Sequence, residues 1–166
     1  MKRVLSIQDI SCIGKCSLTV ALPIISAMGI ETSILPTSIL STHTMFNDFT
    51  FRDLTDDMEP IKKHWQKEGF SFDAIYTGYL GSERQITLVK DYFKTFGNTC
   101  KYIIVDPAMA DNGKLYSGFD KDFPLKMAKL CKYADVILPN ISEASFMTGM
   151  PYPGENASNE CIKDLL

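Results

Sequence analysis

The chain has 166 residues, of which 45% are apolar and 22% charged. That is the size and composition of one folded domain with a packed core, and it excludes a disordered chain. Seventeen Lys and Arg against twenty Asp and Glu leave a net charge of −3, which excludes a nucleic-acid binder driven by bulk charge, because such domains are basic.

No apolar run reaches the ~18 residues of a membrane-spanning helix. After Lys2 and Arg3 the apolar stretch is stopped by Gln8 and Asp9, too soon for a signal peptide. A cytoplasmic protein without membrane attachment is expected. The cysteines are odd in number and scattered (Cys12, Cys16, Cys100, Cys131, Cys161), so free thiols are expected. Cys12 and Cys16 have no second Cys/His pair at zinc spacing, and His43 and His64 stand alone, so no structural zinc is expected.

In chain order, residues 4–8 read as a short apolar strand. Residues 16–28 read as a buried helix, with Pro23 predicting a kink or a late start and Gly29 a C-terminal cap. Residues 31–37 are a second strand, and 38–50 are polar and irregular. Residues 51–68 carry Leu54, Met58, Ile61 and Trp65 on one helical face, and Gly69 ends that helix. Residues 73–76 are a third strand. Ser82 is a candidate N-cap for a helix to about residue 96, closed by Gly97. Residues 102–105 are a continuous apolar strand running into Asp106-Pro107. A Gly/Asn/Asp loop, a helix over 121–133, a strand over 135–138 and a helix over 142–148 follow. Pro151-Tyr152-Pro153-Gly154 is a loop before a last short helix. Strands alternating with helices predict a parallel sheet covered on both faces, with ligands beyond the C-terminal strand ends. No repeat or linker divides the chain.

Polar clusters fall at those strand ends. Asp9-Ile10-Ser11-Cys12-Ile13-Gly14-Lys15-Cys16-Ser17 is a near miss for a phosphate-binding P-loop. Gly14 and Lys15 fit, but Asp9 replaces the first glycine and Cys16 the metal-binding hydroxyl. A carboxylate there repels phosphate, so a turn whose Asp9 or Ser11 bonds a neutral polar substrate, or a simple helix cap, fits better. Ser41-Thr42-His43-Thr44 offers hydroxyls and an imidazole to a small polar ring, or is a surface loop. Thr77-Gly78-Tyr79 gives close backbone approach and an aromatic face, or a plain turn. Asp106 and Asp111 are two carboxylates in one loop, suited to Mg²⁺ beside a phosphorylated ligand, although Asp111-Asn112-Gly113 is also turn chemistry. Asn140 and Glu143 open a helix; Glu143 either favours the helix N-terminus or reaches a magnesium-bound water.

Five stretches in order resemble the pyridoxal kinase family of the ribokinase-like superfamily. They are Leu5-Ser6-Ile7-Gln8-Asp9-Ile10-Ser11, Ser41-Thr42-His43-Thr44, Tyr76-Thr77-Gly78-Tyr79-Leu80-Gly81, Val105-Asp106-Pro107 through Asp111-Asn112-Gly113-Lys114, and Pro139-Asn140-Ile141-Ser142-Glu143. The resemblance implies an α/β, doubly wound, mainly parallel sheet with helices on both faces. It implies ATP- and Mg²⁺-dependent phosphorylation of the 5′-hydroxymethyl of pyridoxal, pyridoxine or pyridoxamine, by a homodimer in the full-length form. Carried over residue by residue, Asp9 (where many members have a serine), His43, Thr44, Met45 and Tyr79 fall at ring-binding positions. Asp106 and Asp111 match the acidic loop near the ATP phosphates and metal. Leu138, Asn140 and Glu143 match the nucleotide side, with Glu143 also near the metal. Ala110 stands where a glycine is usual.

The family's Gly-Thr-Gly-Asp motif, which supplies the catalytic base and anion hole, does not occur in these 166 residues. The resemblance therefore places no catalytic residue here. It implies a single domain over residues 1–166, incomplete at its C-terminus, that does not transfer phosphate alone at a kinase rate. A hydroxymethylpyrimidine kinase of the same superfamily is the alternative enzyme. A non-catalytic vitamer- or nucleotide-binding remnant and a generic flavin- or nucleotide-binding module are the alternatives of other classes.

Overall fold

The computed structural model describes residues 1–154 and 157–165. Its elements run β1 (Arg3–Ser11), α1 (Leu18–Ala27), β2 (Glu31–Leu40), β3 (Phe51–Asp53), α2 (Thr55–Lys67) and β4 (Ala74–Thr77). They continue as α3 (Glu83–Phe96), β5 (Tyr102–Val105), the two-residue strands β6 (Ala110–Asp111) and β7 (Lys114–Leu115), α4 (Phe123–Cys131), β8 (Val136–Ile137), α5 (Ile141–Thr148) and α6 (Asn159–Leu165).

The main sheet has the order β3-β2-β1-β4-β5-β8. Every neighbouring pair is parallel except β2–β3, which is antiparallel. The chain moves outward from β1 to β2 through α1, then returns across the sheet through α2, α3 and α4. Right-handed crossovers put α1 on one face and the other three helices, packed side by side, on the opposite one. This is the doubly wound architecture expected from the alternation of elements.

Alternation along the strands fills the layer under α2–α4. Leu5, Ile7, Ile75 and Val105 point into it and meet Met58, Val89, Tyr92 and Met127 from the helices, all fully buried. The Tyr92 hydroxyl finds a partner by donating to the Met58 carbonyl at 2.6 Å. Each of these side chains contributes on the order of 1.5–3 kcal/mol by leaving water. On the opposite face β1 presents Ser6 and Gln8, with Gln8 Nε2 donating to Ser6 Oγ at 3.0 Å.

Four sequence expectations are corrected. The helix expected from residue 51 begins at Thr55, because residues 51–53 pair with the end of β2 (Ser38↔Asp53, Leu40↔Phe51). Asp53 then accepts the Thr55 N–H at 2.7 Å and starts the helix, leaving Leu54 outside it. β2 accordingly runs three residues further than its apolar run suggested, into the segment read as irregular. The loop after Asp106 contains the β6–β7 hairpin. Coverage on both faces does not extend to the last strand: Val136 is 39% and Ile137 46% exposed, because β8 is the edge of the sheet and α1 packs chiefly on β1 and β2.

Pro23 lies inside α1, which starts late, at Leu18. All five cysteines are free. Among the described residues no helix is long and apolar enough to cross a membrane.

Candidate functional site

Five loops meet above the C-terminal edge of the sheet, each springing from a strand end. The first follows β1, whose register with β2 shifts between Gln8 and Ile10. The shift is a bulge that re-aims the end of the strand. Asp9 is buried there, and the Ser11 hydroxyl donates to its Oδ2 at 3.3 Å. Burial pushes the Asp9 carboxyl above the usual range, while the hydroxyls of Ser17 and Ser11 pull it down. The loop is tied across to β2 by Cys12 N–H donating to the Leu40 carbonyl at 2.9 Å.

The second loop carries His43, Thr44 and Met45. Its imidazole packs on Gly14 of the first loop so closely that a Cβ there would lie 2.3 Å from His43 Cδ2. The His43 Nδ1 accepts the Met45 N–H at 3.3 Å, and the ring sits 4.8 Å from that of Phe46. The third loop, after β4, carries Tyr79, whose ring lies 5.6 Å from Phe119. Gln85 of α3 holds this loop by accepting the Gly81 N–H at 2.7 Å.

The fourth loop follows β5. Burial pushes the Asp106 carboxyl above its usual range, while the neighbouring Tyr76 hydroxyl pulls it down. The chain then turns through β6 and β7 at Asn112 and Gly113, both at positive φ (49° and 72°), as a two-residue hairpin of this type requires. The fifth loop pins that hairpin. Asn140 Nδ2 donates to the Ala110 carbonyl at 2.8 Å, and Gly113 N–H donates to Ser142 Oγ at 2.8 Å. Glu143 completes a capping box at the start of α5, accepting the Asn140 N–H at 2.8 Å and, through its other oxygen, the Met109 N–H at 3.2 Å. Burial, with Asp106 adding to it, pushes the Glu143 carboxyl up to about 7, against the pull of those amides.

Two adjoining cavities lie between these loops. The larger, about 600 Å³, is lined by Asp9, His43, Thr44, Met45, Tyr79 and Asp111. The structure thus brings six of the sequence-derived residues to one wall. Asp106 lines the second cavity, of about 450 Å³, with Gln8, Tyr76 and α1. Lys15, Cys16, Ser17, Tyr79 and Ala108 line both cavities. Leu138, Asn140 and Glu143 line neither. Leu138 is half exposed, with its N–H donating to the Val105 carbonyl at 3.0 Å, and the other two support the hairpin.

Lys114 and Tyr116 also line the larger cavity and were not singled out as site residues. The hairpin folds them back, and the Asn112-Gly113 pair was the signal for it. Burial pushes the Tyr116 phenol up to about 12, with Glu143, Asp111 and Asp106 adding to the effect. That sensitivity to three carboxylates marks this end of the site as acidic. Among the described residues no group of three or more His, Cys, Asp or Glu is arranged to hold a metal by itself.

The sheet, with its clefts above the parallel strand ends, matches solved kinases of the ribokinase-like fold. The chain belongs to the phosphomethylpyrimidine kinase family, whose sequence model matches residues 31–166. A Bacteroides thetaiotaomicron protein described as a phosphomethylpyrimidine kinase and crystallised with pyridoxal is 44% identical and superposes with a TM-score of 0.93, over 99% of this chain and 57% of its own. The pyridoxal kinase of Lactobacillus plantarum is 36% identical with a TM-score of 0.89, over 99% of this chain and 59% of its own. Pyridoxal kinase PdxY of Actinobacillus pleuropneumoniae is 27% identical over 100% of this chain. The chain spans 60% of that curated relative's length.

Proposed function

We propose that this chain carries the ring-binding and metal-side part of a kinase that phosphorylates the 5′-hydroxymethyl of a vitamin B6 pyridine with ATP. The observation that carries the reading is the convergence of Asp9, His43, Thr44, Met45 and Tyr79 from three strand ends on one cavity. A cavity of about 600 Å³ suits one small ring and leaves room beside it for a phosphate. The pyridoxal in the Bacteroides relative's crystal supports the same class of ligand. The proposed setting is the cytoplasm, and the proposed assembly a homodimer of the full-length form.

In this reading the chain's own residues bind and orient. Tyr79, braced by Phe119, offers its ring face, while Thr44 and His43 offer hydrogen bonds to ring substituents. Asp106 and Asp111 would hold Mg²⁺ at the triphosphate end, with Glu143 supporting the loop from behind. Burial is the main cause of the raised pKa of both Asp106 and Glu143, and a hard cation taking few protein ligands would offset the cost of ionising them there. Bound there, Mg²⁺ would offset charge on the transferring phosphoryl group.

The test is calorimetric titration of the chain with pyridoxine, pyridoxal and pyridoxamine. Saturable one-site binding, weakened at least about tenfold by Tyr79→Ala, is the expected result. No binding of any vitamer overturns the reading. The family match favours a second reading, a hydroxymethylpyrimidine substrate on the same wall. Tighter binding of 4-amino-5-hydroxymethyl-2-methylpyrimidine than of every B6 vitamer would establish it instead.

A further inference from the structure

The β6–β7 hairpin carries Asp111 and Lys114 to the wall of the larger cavity. They stand directly opposite each other across the two short strands, so both side chains leave the same face of the hairpin. Asp111 is engaged with the turn beside it, accepting the Asn112 N–H at 2.9 Å and Asn112 Nδ2 at 3.3 Å. Lys114 forms no ion pair among the described residues, so its ammonium donors are available to a ligand.

A ladder of two residue pairs does not hold a fixed place by itself. Its base is tied by Asn140 to the Ala110 carbonyl and by Glu143 to the Met109 N–H. Its tip is the Asn112-Gly113 turn. Asp111 and Lys114 flank that tip, so whatever seats the turn decides how far they reach. Two side chains seat it. Ser142, buried in the first turn of α5, accepts the Gly113 N–H at 2.8 Å. Tyr152 follows the left-handed Gly149 that ends α5 and lays its ring against the bare Cα of Gly113. A Cβ added there would lie 2.5 Å from Tyr152 Cδ1 and 2.9 Å from Cε1. Tyr152 stands between Pro151 and Pro153. Pro151 fixes its own φ and Pro153 keeps Tyr152 out of the helical region, so the ring is held in place by a stiff segment.

We propose that Ser142 and Tyr152 are positioning residues, which seat the Asn112-Gly113 turn and so set the reach of Lys114 toward the polar substituents of the ring ligand. This rests on the ring-pocket reading above and adds to it a cation and the brace that aims it. Neither Ser142 nor Tyr152 lines either cavity, so both act through the hairpin. The ring fixes how deep the tip sits, and the hydroxyl fixes its register, because the Gly113 N–H meets its acceptor only when the turn is seated on α5.

The experiment combines amide hydrogen exchange on the free chain with calorimetric titration of pyridoxine. The hairpin amides with acceptors are Gly113, on Ser142, and Tyr116, on the Met109 carbonyl. Tyr152→Ala and Ser142→Ala should each speed their exchange about tenfold or more, while the α3 amides stay unchanged and show that the variants are folded. Each should weaken pyridoxine binding about tenfold. Tyr152→Phe keeps the ring and should restore both readouts to within about threefold of the wild type. Lys114→Met should itself weaken binding about tenfold. In that background Tyr152→Ala should cost less than about threefold more, because the side chain whose reach it sets is gone. A packing role alone would give the same loss in both backgrounds, and that result overturns the proposal. Full pyridoxine affinity in Tyr152→Ala or in Lys114→Met overturns it too. Unchanged exchange in Tyr152→Ala overturns the brace and leaves the ring-pocket reading standing. No binding of pyridoxine by the wild type overturns the ring-pocket reading and this inference with it.

Discussion

Gly14 and His43 define how closely two of the site loops approach. Gly14 has φ +114°, which side chains rarely adopt, and an added Cβ would meet His43 Cδ2 at 2.3 Å. Gly14→Ala should therefore both strain the turn and push the imidazole out of the wall. We expect a loss of roughly 1–3 kcal/mol in stability and of about tenfold in pyridoxine affinity, read by thermal unfolding and calorimetry. Gly29→Ala is the matched control. Its φ is +77°, but nothing lies within 4 Å of an added Cβ, so it should cost stability and leave affinity unchanged. If the two variants bind pyridoxine equally well, His43 does not shape the pocket. Tyr79 permits a finer cut. Its ring leans on Phe119, and among the described residues its hydroxyl has no hydrogen-bond partner. Tyr79→Phe should keep most of the affinity that Tyr79→Ala loses, and equal losses would assign the binding to the hydroxyl instead of the ring face.

At the scale of elements, Gln85 is the joint that sets where the Tyr79 loop stands. It is fully buried on α3. It accepts the Gly81 N–H at 2.7 Å and donates to the Thr37 carbonyl and to Thr55 Oγ1, each at 2.9 Å. One side chain thus ties the β4 loop, the end of β2 and the start of α2. Gln85→Leu would strand the Gly81 N–H, at about 1–3 kcal/mol, while the Thr37 carbonyl keeps the Leu54 N–H at 3.1 Å and the Thr55 hydroxyl keeps Asp53. Thermal unfolding should show that loss, and vitamer affinity should fall with it because Tyr79 is released. Full affinity in a destabilised Gln85→Leu would make the joint structural only. This joint was not legible in the sequence, since a glutamine on an amphipathic helix reads as a solvated residue. The edge strand β3 was hidden for a related reason. Phe51, Arg52 and Asp53 are all exposed and show no alternation, so the apolar spacing from Leu54 onward dominated and pulled the helix start forward. The central strands were legible because each is an apolar run closed by a polar residue. The same feature exposed Asp9, Tyr79, Asp106 and Asp111, which follow those runs. Lys114 and Tyr116 follow no such run; they reach the cavity only through a hairpin of two-residue strands, too short to leave a period.

Across the whole molecule, charge is distributed unevenly between surface and site. The exposed carboxylates Glu59, Asp73 and Asp91 sit beside lysines that lower their pKa values, and solvent screening makes such pairs worth little. The site carboxyls Asp9, Asp106 and Glu143 go the other way, all raised chiefly by burial. A carboxyl whose pKa is higher in the folded chain than in the unfolded one binds more protons when folded. Its contribution to stability is full below the unfolded pKa and is lost as pH rises through the folded one. For Glu143 the window runs from the ordinary value of 4.5 to about 7. That difference corresponds to roughly 3 kcal/mol as an upper figure, and Asp9 and Asp106 add in the same direction. The chain should therefore unfold at a higher temperature at pH 5 than at pH 8, opposite to a protein whose acids are mostly ion-paired. Glu143→Gln should flatten the dependence. It should also lower the pH 5 midpoint, because the Asn140 and Met109 N–H groups point at different oxygens of Glu143 and the amide turns one of those oxygens into an NH2 that can only donate. Thermal melts of both proteins from pH 4.5 to pH 8.5 give the comparison. A wild-type midpoint that rises steadily across that range would show that the site carboxyls are already compensated in the free protein, and the case for an acidic end awaiting a cation would fall with it.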